Sequence, residues 1–204
     1  MKDPRLILPD ERKPFPPYVY HRPLLTPEEC ARIRAYAAAQ FLRPGTVGNA
    51  VNGEFRTDET YRKVATCQIP VGGEFDAMYA KIAERVRASN EAHFGFDIHG
   101  LWQGLEYLRY DFTSMGPVGH YDWHQDFGGG VASLRKISLS IQLSSPSEYD
   151  GCRLQLFTDR TVDPGCVELG DGVMFPSWLP HCVTPITRGT REALVAWVAG
   201  PRFR

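Results

Sequence analysis

From Phe94 onward the chain is cut into short runs of Val, Ile, Leu and aromatic residues separated by Gly, Pro and Asp, and this texture excludes most helical folds. The clearest run is Ile137, Leu139, Ile141 and Leu143 alternating with Ser138, Ser140, Gln142 and Ser144, the period-two pattern of a half-buried strand. Further strands are expected near Leu105–Tyr110, Arg153–Phe157, Cys166–Leu169, Gly172–Phe175, His181–Pro185 and Glu192–Val198. About eight short strands preceded by helices make the element list of a mostly β, α+β protein. The expected core is a double-stranded β-helix, the jelly roll of cupin type, with helices packed on one face.

Two helices are expected ahead of the strands. Leu24-Leu25-Thr26-Pro27-Glu28-Glu29 supplies an apolar lead-in, an N-cap Thr, a Pro at the first helical position and a Glu at the third, so a helix should run from Thr26 to about Gln40. Phe75, Met78, Tyr79, Ile82, Ala83 and Val86 recur at three-and-four spacing, which predicts a second helix from Glu74 to about His93. Pro4, Pro9, Pro14, Pro16, Pro17 and Pro23 keep residues 1–25 extended, as an arm lying on the domain. Arg43–Thr60 has no sustained period and reads as a loop, either bordering a substrate site or plain surface. The 204 residues are expected to form a single domain: arm 1–25, helices and loop 26–93, jelly roll 94–204.

Composition closes off several functions. With 43% hydrophobic and 23% charged residues the chain is neither a disordered nor a membrane protein. A net charge of -1 offers no field for a nucleic-acid backbone. Five cysteines without a CxxC pair suit reduced thiols, and the three-residue apolar run near the N-terminus is too short for a signal core, so a cytoplasmic location is expected. Cys182 is expected to be a small buried filler facing away from its neighbour His181.

The chemistry lies in Gly119-His120-Tyr121-Asp122-Trp123-His124-Gln125-Asp126, which holds two overlapping His-x-Asp pairs. A His and an Asp two apart on a strand share a face and can grip one metal. Residue type does not choose between the pair His120 and Asp122 and the pair His124 and Asp126. A third ligand would complete the set of two imidazoles and one carboxylate that holds iron(II) with open positions. His181 is the leading third ligand, because Gly170–Ser177 reads as a turn and strand that delivers it. Arg191, ten residues on at the start of an apolar strand, offers a guanidinium fork to the distal carboxylate of a metal-chelating dicarboxylate.

Tyr121-Asp122-Trp123-His124-Gln125-Asp126, Arg135–Ser144, Gly170–Ser177 and His181–Arg191 together resemble the prolyl 4-hydroxylase-like group of iron(II) and 2-oxoglutarate dioxygenases, in particular its PKHD-type members. The resemblance implies that His124, Asp126 and His181 bind iron, that Arg191 anchors 2-oxoglutarate with Tyr110 bonding the same carboxylate, and that Tyr121 and Trp197 face the substrate. Thr113-Ser114-Met115-Gly116-Pro117 lengthens the stretch between Tyr110 and His124 relative to the family. Iron(II), 2-oxoglutarate and O2 are the implied cofactors, with ascorbate an optional reductant. The implied reaction is hydroxylation of an unactivated C–H bond, with release of succinate and CO2, on a prolyl or other amino-acid side chain of a peptide or protein. A free amino acid or small metabolite is the same-chemistry alternative, and a metal-binding cupin-like module without turnover is the alternative of another class.

Overall fold

The computed structural model describes residues 15–49 and 54–202. The expected arm begins outside those residues, since 1–14 are not among them. Its described end forms a strand, β1 (Val19–His21). Helix α1 (Pro27–Ala38) starts where its capping box places it: Thr26 Oγ1 accepts from the Glu29 amide, and Glu29 Oε2 accepts from the Thr26 amide. Arg43–Thr60 is more ordered than a loop, because it holds β2 (Arg43–Pro44) and a hairpin of β3 (Val47–Asn49) and β4 (Glu54–Arg56). These strands are two or three residues long, too short to show a period. Then follow β5 (Arg62–Lys63), β6 (Ala65–Ile69) and helix α2 (Asp76–Ser89), which is prolonged by a π-turn over Asn90–Phe94.

The remaining strands are β7 (Leu105–Asp111), β8 (His120–His124), β9 (Arg135–Gln142), β10 (Tyr149–Gly151), β11 (Leu154–Phe157), β12 (Thr161–Val162), β13 (Gly172–Pro176), β14 (His181–Val183) and β15 (Ile186–Ala199). They build two facing sheets, a jelly roll with helices on one side. The larger runs β1-β13-β9-β15-β7-β6-β2, with β10 joined to β15, and the smaller runs β12-β11-β14-β8-β5. The expected strand over Cys166–Leu169 does not form. That place at the sheet edge is taken by the N-terminal arm, whose Val19, Tyr20 and His21 pair with Met174, Val173 and Gly172. Among the described residues no helix is long and apolar enough to cross a membrane.

Strand parity sorts side chains into two buried layers. Leu105, Tyr107, Ile137, Leu139, Ile141, Leu194, Ala196 and Val198 pack under Ile33 of α1 and Met78, Ile82 and Val86 of α2. Their neighbours Leu108, Tyr110, Val173 and Phe175 turn inward, toward Leu154, Leu156 and Val183 of the smaller sheet. The strand expected to be half-buried is therefore buried on both faces: Ser138, Ser140 and Gln142 are enclosed between the sheets. Polar side chains on an enclosed face need partners or a ligand, and that face leads to the candidate site.

Candidate active site

His124 ends β8 and stands opposite His181, the first residue of β14. Between these strands the register shifts: Tyr121 to His124 on β8 span three steps, while their partners Val183 and His181 span two. The extra residue is a bulge. It breaks simple alternation and lets Tyr121 and His124 both line the inner cavity, their rings stacked with centroids 3.5 Å apart.

Asp126 does not share a strand with His124, as the spacing argument supposed. The strand stops at His124, and Asp126 lies in the following turn, tied down where the Phe127 amide donates to the Ser177 carbonyl. Ser138 Oγ donates to Asp126 Oδ2 at 2.6 Å, and Arg135 donates to the Asp126 carbonyl at 3.1 Å. The carboxylate reaches both imidazoles, with His124 Nε2 3.9 Å from Oδ1 and His181 Nε2 3.4 Å from Oδ2.

These three residues offer ligand atoms within 4.8 Å of one another and form the one such cluster of His, Cys, Asp and Glu among the described residues. Each ring donates from Nδ1 to a backbone carbonyl, His124 to Asp122 at 2.7 Å and His181 to Leu179 at 2.9 Å. A carbonyl can only accept, so Nδ1 carries the proton and Nε2 presents its lone pair to the cluster. Burial, reinforced by His181, holds His124 down at about 3, so it is a neutral ligand at ordinary pH. Burial alone would raise Asp126, but the two histidines and Arg135 outweigh it and keep the carboxyl below the usual carboxylate range. Two imidazoles that present Nε2 and one ionised carboxylate are a donor set fitted to iron(II). The competing pair is turned away: both His120 nitrogens face backbone carbonyls, of Val118 and Thr60, and Asp122 is exposed.

Arg191 lies in the middle of β15, cross-strand from Tyr110, and is 2% exposed. It is therefore neither at a strand start nor a surface ion pair. Its Nε donates to Gln142 Oε1 at 3.0 Å, its guanidinium lies 5.6 Å from the Tyr110 ring centre, and no described carboxylate is within ion-pair distance. A buried cation without an acid is costly unless a ligand neutralises it. Burial also raises the Tyr110 phenol, so it stays protonated as a donor. The donors at this end suit the distal carboxylate of 2-oxoglutarate.

One cavity joins these groups: His124, Asp126, His181, Arg191, Tyr110, Tyr121 and Trp197 all line it. Along β15 the inward side chains run from Arg191 through Ala193 and Val195 to Trp197. Arg135 stacks over the Trp197 ring at 3.9 Å, and Arg62 over the Tyr121 ring at 4.6 Å. Cys182 stays outside the cluster, its Sγ 3.8 Å from Gln155 Oε1, and burial pushes its thiol up to about 11. Sequence reasoning gave no role to Arg62, Arg135, Ser138 or Gln142. Ser138 and Gln142 had a signal in the polar half of β9, whereas Arg62 sits in a two-residue strand that shows none.

Residues 105–199 match the model of the 2OG-Fe(II) oxygenase superfamily. The PKHD-type hydroxylase YbiX of Escherichia coli O81 is 29% identical over 196 residues, covering 88% of this chain and 77% of the relative. Among solved structures, a Pseudomonas putida prolyl-4-hydroxylase superposes with a TM-score of 0.67 at 21% identity, covering 91% of this chain and 93% of the other. A Trichoplax adhaerens prolyl hydroxylase in complex with a hypoxia-inducible-factor peptide fragment superposes at 0.71 with 14% identity, covering 90% and 84%. At these identities the superpositions speak for the fold.

Proposed function

We propose, from the match of residues 105–199 to the model of the 2OG-Fe(II) oxygenase superfamily and the alignment of most of the chain with a PKHD-type hydroxylase, that the chain is an iron(II)- and 2-oxoglutarate-dependent hydroxylase whose metal is held by His124, Asp126 and His181. The observation that carries this reading is the pairing, in one cavity, of a two-His, one-carboxylate cluster with a buried guanidinium that has no described acid partner. When bound, iron(II) with 2-oxoglutarate and O2 supplies the oxidising power for C–H hydroxylation, with succinate and CO2 as co-products.

The protein's own part is positioning and exclusion of water. Arg191 and Tyr110 hold the distal carboxylate of 2-oxoglutarate, and Gln142 aims the guanidinium through its Nε. Ser138 and Arg135 fix Asp126 so that one carboxylate oxygen faces each imidazole. Tyr121 and Trp197, each covered by an arginine, form aromatic walls for the prime substrate. An amino-acid side chain in a peptide or protein is the substrate class this reading favours, supported by the prolyl hydroxylases among the structural neighbours, one of them in complex with a peptide. Five free cysteines support a reducing compartment, the cytoplasm. Succinate formation from 2-oxoglutarate that depends on added iron(II) and O2 tests the proposal. Iron-loaded protein that binds no 2-oxoglutarate and forms no succinate would refute it.

A further inference from the structure

Arg62 is left over when the charges of the site are paired. Its Nη1 donates to the Thr46 carbonyl at 2.8 Å, and its guanidinium covers the Tyr121 ring. Nε is the one buried side-chain nitrogen or oxygen among the described residues without a partner, and Nη2 has no described partner either. No described carboxylate lies within ion-pair distance of it. Arg62 lines both the inner cavity and an outer groove of about 420 Å³ bounded by Pro44, Thr57, Lys63, Arg109 and Pro117, so it stands on the way between them. Within that groove Lys63 pairs with Glu59 and Arg109 with Asp111, which leaves Arg62 as its unbalanced cation.

The deep end of the cavity balances itself on the reading proposed above. The two charges of iron(II) and the one of Arg191 meet Asp126 and the two carboxylates of 2-oxoglutarate. The mouth does not balance. It carries Arg62 and Arg135, and besides Asp126, which Arg135 reaches, the described carboxyl acting on both is that of Glu106, which lies two residues before Leu108 on the inward face of β7 and is bonded to Thr66. Burial raises Glu106, against the lowering pull of Arg62, Thr66 and Arg135. Arg135 is already engaged by Gln103, by the Asp126 carbonyl and by the Asp126 carboxylate at 3.8 Å. A half-buried cation with a buried unpartnered Nε and an open Nη2 favours an anionic ligand group.

We propose that Arg62 binds a carboxylate of the prime substrate, so that the enzyme selects acidic substrates: an α-carboxylate of a free or C-terminal amino acid, or an acidic side chain. This rests on the hydroxylase reading and narrows it. The test uses zinc(II)-loaded protein saturated with 2-oxoglutarate, with binding followed by ligand-observed NMR. The probes are matched pairs: the common L-amino acids as free acids and as primary amides, and short peptides ending in carboxylate or carboxamide with Glu or Gln inside. Binders should be carboxylates, and their amide partners should bind about 10- to 100-fold more weakly, the value of a hydrogen bond to a charged group. Arg62→Gln should erase that preference and Arg62→Lys should keep part of it, with 2-oxoglutarate affinity within about twofold of wild type for both. The paired probes tell an α-carboxylate from an acidic side chain. Amides that bind as well as acids, an unchanged preference in Arg62→Gln, or no carboxylate bound by a protein that does take up 2-oxoglutarate would each overturn the inference. Wild-type protein that takes up no 2-oxoglutarate would instead overturn the hydroxylase reading.

Discussion

Replacing Arg191 with Met should separate ligand binding from folding in a way an ordinary core substitution does not. In the free protein this guanidinium is 2% exposed, has Gln142 Oε1 as its described acceptor, and lacks a described acid. Removing an isolated buried charge relieves a desolvation cost of several kcal/mol. It leaves Gln142 Oε1 without a donor, a cost of about 1–3 kcal/mol. Met fills similar volume and adapts to an irregular gap, so the ligand-free variant should be as stable as wild type or more so. Binding moves the other way, because loss of one side of a buried charge pair costs about 2–5 kcal/mol of 2-oxoglutarate affinity. Wild type loaded with manganese(II) under nitrogen, with 2-oxoglutarate at about 100 times its Kd, should gain about 2.7 kcal/mol. For a chain of this size that is a rise of roughly 5–10 °C in Tm, and Arg191→Met should show at most about a third of it at the same concentration. A ligand-free loss above about 3 kcal/mol together with a preserved 2-oxoglutarate shift would show that Arg191 is a structural residue and break its link to the co-substrate.

Single Ala substitutions of His124, Asp126 and His181 should each abolish stoichiometric iron(II) binding, measured by anaerobic titration, because each removes one of three clustered ligands. His120→Ala should retain the metal, since both His120 nitrogens face backbone carbonyls. Ser138→Ala removes the hydroxyl that orients Asp126 and should weaken metal affinity about 10- to 100-fold in competition with a chelator. His21 joins β1 to Ser89 of α2, and burial, then Arg85 and His93, lower its pKa. Below about 6.5 the unfolded chain takes up a proton that the folded one resists, so this contribution is present at higher pH and lost as pH falls. Denaturant titrations of wild type and His21→Gln at about pH 7.5 and 5 should show wild type losing more stability on acidification. Equal losses would mean that His21 does not govern the docking of the arm.

Periodicity was legible where a residue's environment follows from its neighbours in the chain. The Thr26 capping box and the Met78, Ile82 and Val86 stripe are local patterns, and both helices stand where those patterns put them. The alternation of β9 marked its apolar face correctly, yet the polar face, which reads as solvent-facing in any isolated strand, is enclosed by a second sheet. Enclosure is a property of topology, and topology is set by pairings such as Arg191 with Tyr110 and His181 with His124, separated by tens of residues. The same limit explains Cys166–Leu169: a β-prone segment remains irregular because an arm more than a hundred residues away in sequence takes the sheet edge. The bulge in β8 is the sharpest case, since period two assigns Tyr121 and His124 to opposite faces, whereas both line the cavity. The two residues of this His-x-Asp spacing therefore come together through a strand end and a turn, and the bonds of Phe127 to Ser177 and of Ser138 to the Asp126 carboxylate are what bring Asp126 to the imidazoles. Arg62 carries this furthest: nothing beside it in the sequence marks it, and only the cavity it borders and the acid it lacks give it a role.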